Sequence, residues 1–330
     1  VSRAAAARHG SSRPDACSVL WDDAQASALG TAPLARFWVA LEQNGPWGAK
    51  AATQSHLDPD LGRTVDRMCQ DAAGRFILIR RPGSHSDLRN PDPRKVHTQR
   101  VYLAGGLAER PWLLEADLDD PARLARLPMD ALANGDAGAV QEALPEAKRS
   151  PGPILMICTN SRRDLCCSVR GRPAAAESAS QRPGQVWECS HTGGHRFAPT
   201  GVLLPHGQTF GRLSAASAVA VLDAAMRAEV PTQLLGAMYD RGRSHLAAPG
   251  QAAESIVRQQ IHEASLLALS TTSTPRPGQE NTWQCRVNHI DGRHWDVEAV
   301  RSPSGDDRPQ SCGAEPVPAW QWSVVNGSGR

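Results

Sequence analysis

Between residues 158 and 195 the chain arranges its softest side chains in two pairs. It reads Cys158-Thr-Asn-Ser-Arg-Arg-Asp-Leu-Cys166-Cys167 and then, after a helix-length spacer, Cys189-Ser-His191-Thr-Gly193-Gly194-His195-Arg196-Phe197. Cys158 and Cys167 lie nine residues apart, and His191 and His195 four apart. Two thiolates followed by two imidazoles form a metal-ligand set, which obliges two separate loops to converge on one point. Such a set suits a tetrahedral zinc, or a [2Fe–2S] cluster with one iron on thiolates and the other on imidazoles. A zinc finger would place both histidines on a helix. Here Gly193 and Gly194 intervene, each disfavouring helix by roughly 1 kcal/mol. Paired glycines instead suit a loop whose backbone passes close to something bulky. The cysteines are also spaced more widely than the two- to four-residue gap of a zinc knuckle. The spacing therefore favours the iron–sulfur cluster over zinc.

At 330 residues the chain is long enough for two or three units with their own cores. With 40% hydrophobic and 21% charged residues it reads as an ordinary soluble globular protein. A net charge of +2 argues neither for nor against a nucleic-acid or membrane partner, and no apolar run has the length of a membrane span. The segment Val1 to Pro14 lacks the apolar stretch of a secretory signal. Of the eight cysteines, Cys158, Cys166, Cys167 and Cys189 cluster beside the histidines, which favours metal binding over disulfides and a cytoplasmic location. Cys17, Cys69, Cys189, Cys285 and Cys312 read as small buried core residues. His85, His97, His206 and His289 read as surface residues. No Cys-x-x-Cys occurs, so the vicinal pair Cys166-Cys167 is what remains for a thiol oxidoreductase.

Along the chain, residues 1–16 read as a mobile arm. Residues 34–42 read as a strand ending at the Gly45-Pro46 turn. Asp58 is an N-cap, with Pro59 at the first helical position, Leu61, Val65, Met68 and Ala72 on one face, and Gly74 as the stop. Strands follow at 75–80, 100–104 and 111–117, with a polar loop at 82–98 and a short helix near 128–134. The second half has a strand at 154–158, a helix near 170–181, a strand at 186–190 and a hairpin over 197–212 that reverses at His206-Gly207. A helix over 214–228 places Val219, Leu222 and Met226 on one face. This common order is that of a thioredoxin-like unit, and it predicts a duplication in which the second copy keeps the ligands. Beyond residue 230 the pattern predicts a helix over 250–269 with Val257, Ile261, Ala264 and Ala268 in a stripe. A linker at 271–281 and a hairpin from Trp283 to Val300, turning at Asp291-Gly292, complete the chain.

The ligand segment, Cys158-Thr-Asn-x-x-Arg163-Asp164-x-x-Cys167 with Ser190-His191-x-Gly193-Gly194-His195-Arg196-Phe197-Ala198, resembles the sucrase/ferredoxin-like family. So do Thr31-Ala32-Pro33, Glu42-Gln43-x-Gly45-Pro46-Trp47-Gly48, Leu78-Ile79-Arg80-Arg81-Pro82-Gly83 and Arg308-Pro309-x-Ser311-Cys312-Gly313, so that most of residues 17–313 is covered. The resemblance implies a thioredoxin-like ferredoxin domain whose [2Fe–2S] cluster is ligated by Cys158, Cys167, His191 and His195. It selects Cys167 over Cys166 as the second thiolate and leaves Cys166 spare. Arg163, Asp164, Gly193, Gly194 and Arg196 are then expected to surround the ligands. No motif places two catalytic carboxylates for sugar hydrolysis, despite the family's name.

The resulting expectation is an α/β (α+β) protein with a mobile arm at 1–16 and an N-terminal thioredoxin-like domain without metal ligands at 17–148. A thioredoxin-like ferredoxin domain at 149–240 and a C-terminal helix and β-hairpin extension at 241–330 complete it. Its function would be one-electron transfer between redox donor and acceptor proteins, with proton coupling through the imidazoles, and no nucleic acid or membrane insertion. A Cys2His2 zinc interaction module and a thiol enzyme are the alternatives. Arg162, Arg163, Arg170 and Arg172 around the ligand loop read as a solvated face, a docking surface for an acidic partner, or pairing partners that fix the loop.

Overall fold

The first long helix begins where Asp58 can accept the N–H groups of Asp60 and Leu61, at 3.0 and 2.8 Å, and where Pro59 has no N–H to leave unpaired. The computed structural model describes residues 13–84 and 98–326. His85, His97, most of the polar loop and residues 1–12 of the expected arm lie outside them. Of the remaining arm residues, 13–15 are exposed and Ala16 is buried.

The first half comprises α1 (Cys17–Asp23), β1 (Trp38–Glu42), α2 (Pro59–Asp71), β2 (Arg75–Arg80), β3 (Gln99–Gly105), β4 (Trp112–Leu118), α3 (Met129–Asn134), α4 (Ala137–Ala143) and β5 (Lys148–Arg149). The second half comprises β6 (Ile154–Cys158), α5 (Leu165–Gln181), β7 (Val186–Cys189), β8 (Gly201–Leu204), β9 (Gln208–Phe210), α6 (Ala215–Ala225), β10 (Asp240–Arg243) and α7 (Ala248–Gln260). The tail adds β11 (Leu269–Pro275), β12 (Thr282–His289), β13 (His294–Pro303), β14 (Arg308–Pro309), β15 (Pro316–Val317) and β16 (Trp320–Asn326).

In the first half β1 and β2 are parallel across α2, while β3 runs antiparallel to β1 and β4 antiparallel to β3. The second half does the same: β6 and β7 are parallel across α5, β8 is antiparallel to β6, and β9 to β8. The two sets join where β2 pairs antiparallel with β7, matching Ile79 with Cys189 and Arg80 with Glu188. One ten-stranded sheet results, in the order β10-β9-β8-β6-β7-β2-β1-β3-β4-β5. Both faces are covered, so alternate residues of one strand enter different cores. Val39 and Leu41 pack with Val65 and Leu103, whereas Trp38 and Ala40 pack with Ile79, Trp187, Cys158, Cys167 and Cys189. The seam is fixed by a buried pair, with Arg80 Nε donating to Glu188 at 2.9 Å and the guanidinium stacked 3.8 Å over Trp47.

Several expected elements differ in extent. The stop of α2 is left-handed Ala73 at φ 58°, not Gly74. Gly74 is required for space, because a Cβ there would stand 2.2 Å from Phe37. Helix α6 buries Ala218, Val221, Leu222 and Ala225, and Met226 is 59% exposed beyond its end. Helix α7 stops at Gln260, nine residues short of the expected end, and the Ile261–Ala264–Ala268 stripe is not helical. His262 turns left-handed at φ 53°, and the Arg258 guanidinium takes the carbonyls of Glu263 and Ser265 that follow. Much of the expected linker at 271–281 is β11, since its Ser/Thr run favours a strand. The tail sheet runs β11-β12-β13-β16 and packs on α7 around Val257, Cys285, Val287 and Val297.

The tail is anchored to the main sheet by buried charge. Arg243 on β10 grips Glu254 on α7 with both ends of its guanidinium, at 2.6 and 2.7 Å, and Thr271 donates to the same carboxylate at 2.9 Å. Burial pushes the Glu254 carboxyl up, but the Arg243 and Arg258 charges outweigh it and hold it at about 2. A folded pKa below the ordinary value of 4.5 means that this stabilisation is complete above that pH and lost as pH falls towards 2. Replacing Glu254 with Gln strands Arg243 in the interior and is expected to destabilise the fold by about 3–5 kcal/mol. Urea melts should show that deficit at neutral pH, with the parent's advantage shrinking on acidification below pH 4.5. Equal stability of the two proteins at neutral pH would refute the role.

Candidate metal centre

Strand β6 ends at Cys158, whose cross-strand partner on β7 is Cys189. The chain then turns on Asn160, whose carbonyl takes the N–H groups of Arg163 and Asp164 while its side-chain amide donates to the Gly48 carbonyl. Asp164 caps α5 by accepting the Cys166 N–H at 2.8 Å. Cys167 therefore sits in the first turn of a helix packed directly over the ligand loop. Gly171 permits that closeness, because a Cβ there would stand 2.3 Å from the Cys158 carbonyl oxygen.

The second loop follows β7 and carries His191 and His195, with Gly193 and Gly194 left-handed at φ 69° and 67°. Gly194 lies against Arg241, where a Cβ would be 2.4 Å from the guanidinium. Arg241, buried on β10, donates to the Gly193 carbonyl at 3.1 Å and to Thr31 Oγ1 at 3.0 Å, and burial pulls its pKa down to about 9. The bulky neighbour that Gly194 accommodates is thus a side chain of the protein itself, whereas a Cβ at Gly193 would meet nothing within 4 Å.

These two loops bring Cys158, Cys167 and His191 together. Contacts from Cys167, Cys189 and His191 hold the Cys158 thiol well below its ordinary pKa. The contact with Cys158 pushes Cys167 up, and burial pushes Cys189 up. The His191 and His195 rings lie 6.1 Å apart between centroids. On the outer side, Arg163 Nε approaches His191 Nε2 at 3.4 Å, and His195 Nε2 meets Ser311 Oγ at 2.8 Å and Asp164 Oδ2 at 3.8 Å. On the inner side, the Nδ1 atoms of both histidines are buried without a hydrogen-bond partner. Burial lowers the His195 pKa against the opposing pull of Asp164.

The other expected residues are distributed unevenly. The Arg196 guanidinium lies 4.8 Å over Trp21 and 4.7 Å over Phe197, and burial lowers its pKa to about 10. Arg162 and Arg163 are exposed, whereas Arg170 turns inward to Asp22 at 2.6 Å. His206 is buried, not on the surface, and burial lowers its pKa to about 4. His289 is also held rather than free, bonded to Glu263 at 2.8 Å.

Cys166 and Cys167, though adjacent, belong to different groups, because neighbouring residues on a helix point about 100° apart. The Cys166 sulfur lies 3.5 Å from that of Cys17 and 3.1 Å from that of Cys312. The donor atoms of Cys17, Asp164, Cys166 and Cys312 all lie within 4.8 Å of one another, a group able to hold a metal ion. Sequence reasoning missed this grouping and Arg241, and it met Ser311 and Cys312 only as part of the family resemblance, not as neighbours of the ligand loops. The Cys17 and Cys312 positions are 295 residues apart, and no local spacing joins them.

A family model for sucrase/ferredoxin-like proteins matches residues 29–236, a span that includes both loops, and the chain belongs to that family. No curated protein and no solved structure matches it. Among the described residues, no helix is long and apolar enough to cross a membrane.

Proposed function

We propose that the protein is a one-electron carrier whose [2Fe–2S] cluster is held by Cys158, Cys167, His191 and His195. The carrying observation is the pair of buried Nδ1 atoms on His191 and His195, unpartnered beside two buried thiols. Buried polar atoms without partners are costly, and at His195 an Nε2–H donated to Ser311 leaves an Nδ1 lone pair for a cation. His191 reaches the same tautomer once Arg163 Nε, a donor now aimed at its Nε2, moves aside. Nδ1 is accordingly the ligating atom in both rings. When bound, the cluster supplies a one-electron couple, and the remaining tasks fall to the chain. Arg241 and the two glycines shape the histidine loop. Ser311 orients the His195 ring from outside, and the outer ring nitrogens are where protons would be exchanged.

The recurring strand order supports two thioredoxin-like units, 17–148 and 149–240, of which the second carries the ligands, with 241–330 as an extension. The divergence of Cys166 and Cys167 argues against a dithiol enzyme built on that pair. Exposed Arg162 and Arg163 beside His191 provide a basic approach for acidic donor and acceptor proteins, and the reduced cysteines suit a cytoplasmic setting.

Protein produced in iron-replete medium should contain about two irons and two acid-labile sulfides per chain, as a [2Fe–2S] centre requires. Its brown colour should bleach with dithionite. Metal and sulfide analysis with a visible spectrum checks this, and protein free of iron and sulfide would refute the reading.

A further inference from the structure

We propose that Cys17, Cys166 and Cys312, with Asp164 as fourth ligand, form a structural zinc site distinct from the histidine-bearing centre. The three sulfurs form a closed triangle with edges of 3.5, 3.1 and 3.7 Å. A tetrahedral zinc with 2.3-Å bonds to sulfur sets its sulfurs about 3.8 Å apart, so small outward movements would seat the ion. Asp164 closes the fourth corner, with its oxygens 3.8 and 3.9 Å from the Cys17 sulfur. Each of those oxygens already accepts one backbone N–H, from Cys166 at 2.8 Å and from Cys312 at 2.9 Å, which fixes the carboxylate and leaves lone pairs free.

The surroundings are those of a closed structural site. Cys17 and Cys166 are buried among Ala16 and Ala198, with Val19 and Cys312 packed against them. Three thiols cannot all pair as disulfides, and one would be left over, whereas a single zinc uses all three. Zinc is preferred to harder cations because three of the four donors are sulfur. Binding releases the thiol protons to solvent and changes no oxidation state.

The location gives the site a purpose. Its ligands come from α1, from the first turn of α5 and from the loop between β14 and β15. Trp21 Nε1 also ties α1 to that loop, donating to the Pro309 carbonyl at 3.0 Å. A zinc here would staple both ends of the described chain onto the helix that carries Cys167. It would also hold Ser311 in place against His195.

Zinc analysis of the full chain, produced with both iron and zinc supplied, tests the proposal. One zinc per chain is expected in addition to iron. Cys312→Ser, at a half-exposed loop position, and Cys17→Ser should each lose the zinc and keep the iron and visible spectrum. Cys158→Ser should lose the iron and keep the zinc. Should Cys17→Ser fail to fold, Co2+ added to zinc-stripped parent and Cys312→Ser protein gives the same answer. The parent should develop thiolate-to-cobalt absorption that the variant lacks. Absence of zinc from the parent, zinc that survives both Cys17→Ser and Cys312→Ser, or a Cys166–Cys312 disulfide detected by mass would overturn the site. Zinc lost only with Cys158→Ser would place the ion at the other centre and overturn it equally. Absence of iron bears on the electron-carrier reading alone.

Discussion

Serine at Cys158 or at Cys167 will remove the iron and the visible absorption, whereas serine at Cys166 or Cys189 will leave both largely intact. Cys158 ends β6, and Cys167 meets it from the first turn of α5, so on the proposed ligation each variant loses one of the two thiolates. Cys189 is the demanding control. It touches Cys158 across the β6–β7 ladder and is fully buried with it. Serine there leaves a hydroxyl in an apolar core, a cost of about 1–3 kcal/mol, which lowers stability without taking away a ligand. Cys166 is the second control, since its sulfur is turned towards Cys17 and Cys312. Iron per chain and absorbance at the cluster bands measure all four variants. Iron lost from Cys166→Ser and kept by Cys167→Ser would put the ligand assignment out by one residue. Iron lost from Cys189→Ser and kept when His195 becomes Ala would mean three thiolates in place of two.

Local chemistry made much of the architecture legible before any coordinates. The Asp58-Pro59 start, the aliphatic run 75–80 and the Asp291-Gly292 reversal each declare themselves within a few residues, and the corresponding elements lie where expected. The errors occurred where tertiary contacts outweigh the local pattern. The periodicity of residues 250–269 continues past Gln260, but Arg258 captures the following carbonyls and the Ser/Thr run joins a sheet. At the candidate centre, the Cys158–Cys167 and His191–His195 spacings were readable because each pair is close in sequence, the cysteines flanking one loop and the histidines lying on another. Arg241, Ser311 and the Cys17–Cys166–Cys312 group were not, because each depends on chain closure between remote segments. Their partners are set by the main sheet and by the loop between β14 and β15, whose Arg308-Pro309-x-Ser311-Cys312-Gly313 motif does not reveal which remote residues it meets. Even Gly194 was understood only in part. Its close neighbour is the Arg241 guanidinium, a charged group brought from β10.

Replacing both His191 and His195 with Cys should leave a cluster in place while lowering its reduction potential, since thiolate is an accepted iron ligand. Two ferric ions and two sulfides carry two positive charges, so two thiolates leave a near-neutral oxidised core and four leave it doubly negative. Adding an electron is harder in the second case. In Rieske centres the same exchange of ligands separates a range of roughly −150 to +300 mV from about −400 mV for plant-type ferredoxins. The substitution also removes two rings whose outer nitrogens face Arg163 and Ser311, and with them the groups able to exchange protons as the charge of the core changes. The parent's potential is therefore expected to become more negative with rising pH wherever the reduced form holds a proton more tightly, and the double variant's to vary far less. Potentiometric titration of both proteins across roughly pH 6–10 spans ordinary and raised imidazole pKa values and reads both effects. A parent potential that is flat with pH and unmoved by the double replacement would show that the histidines do not bind iron. The unpartnered Nδ1 atoms would then need another explanation.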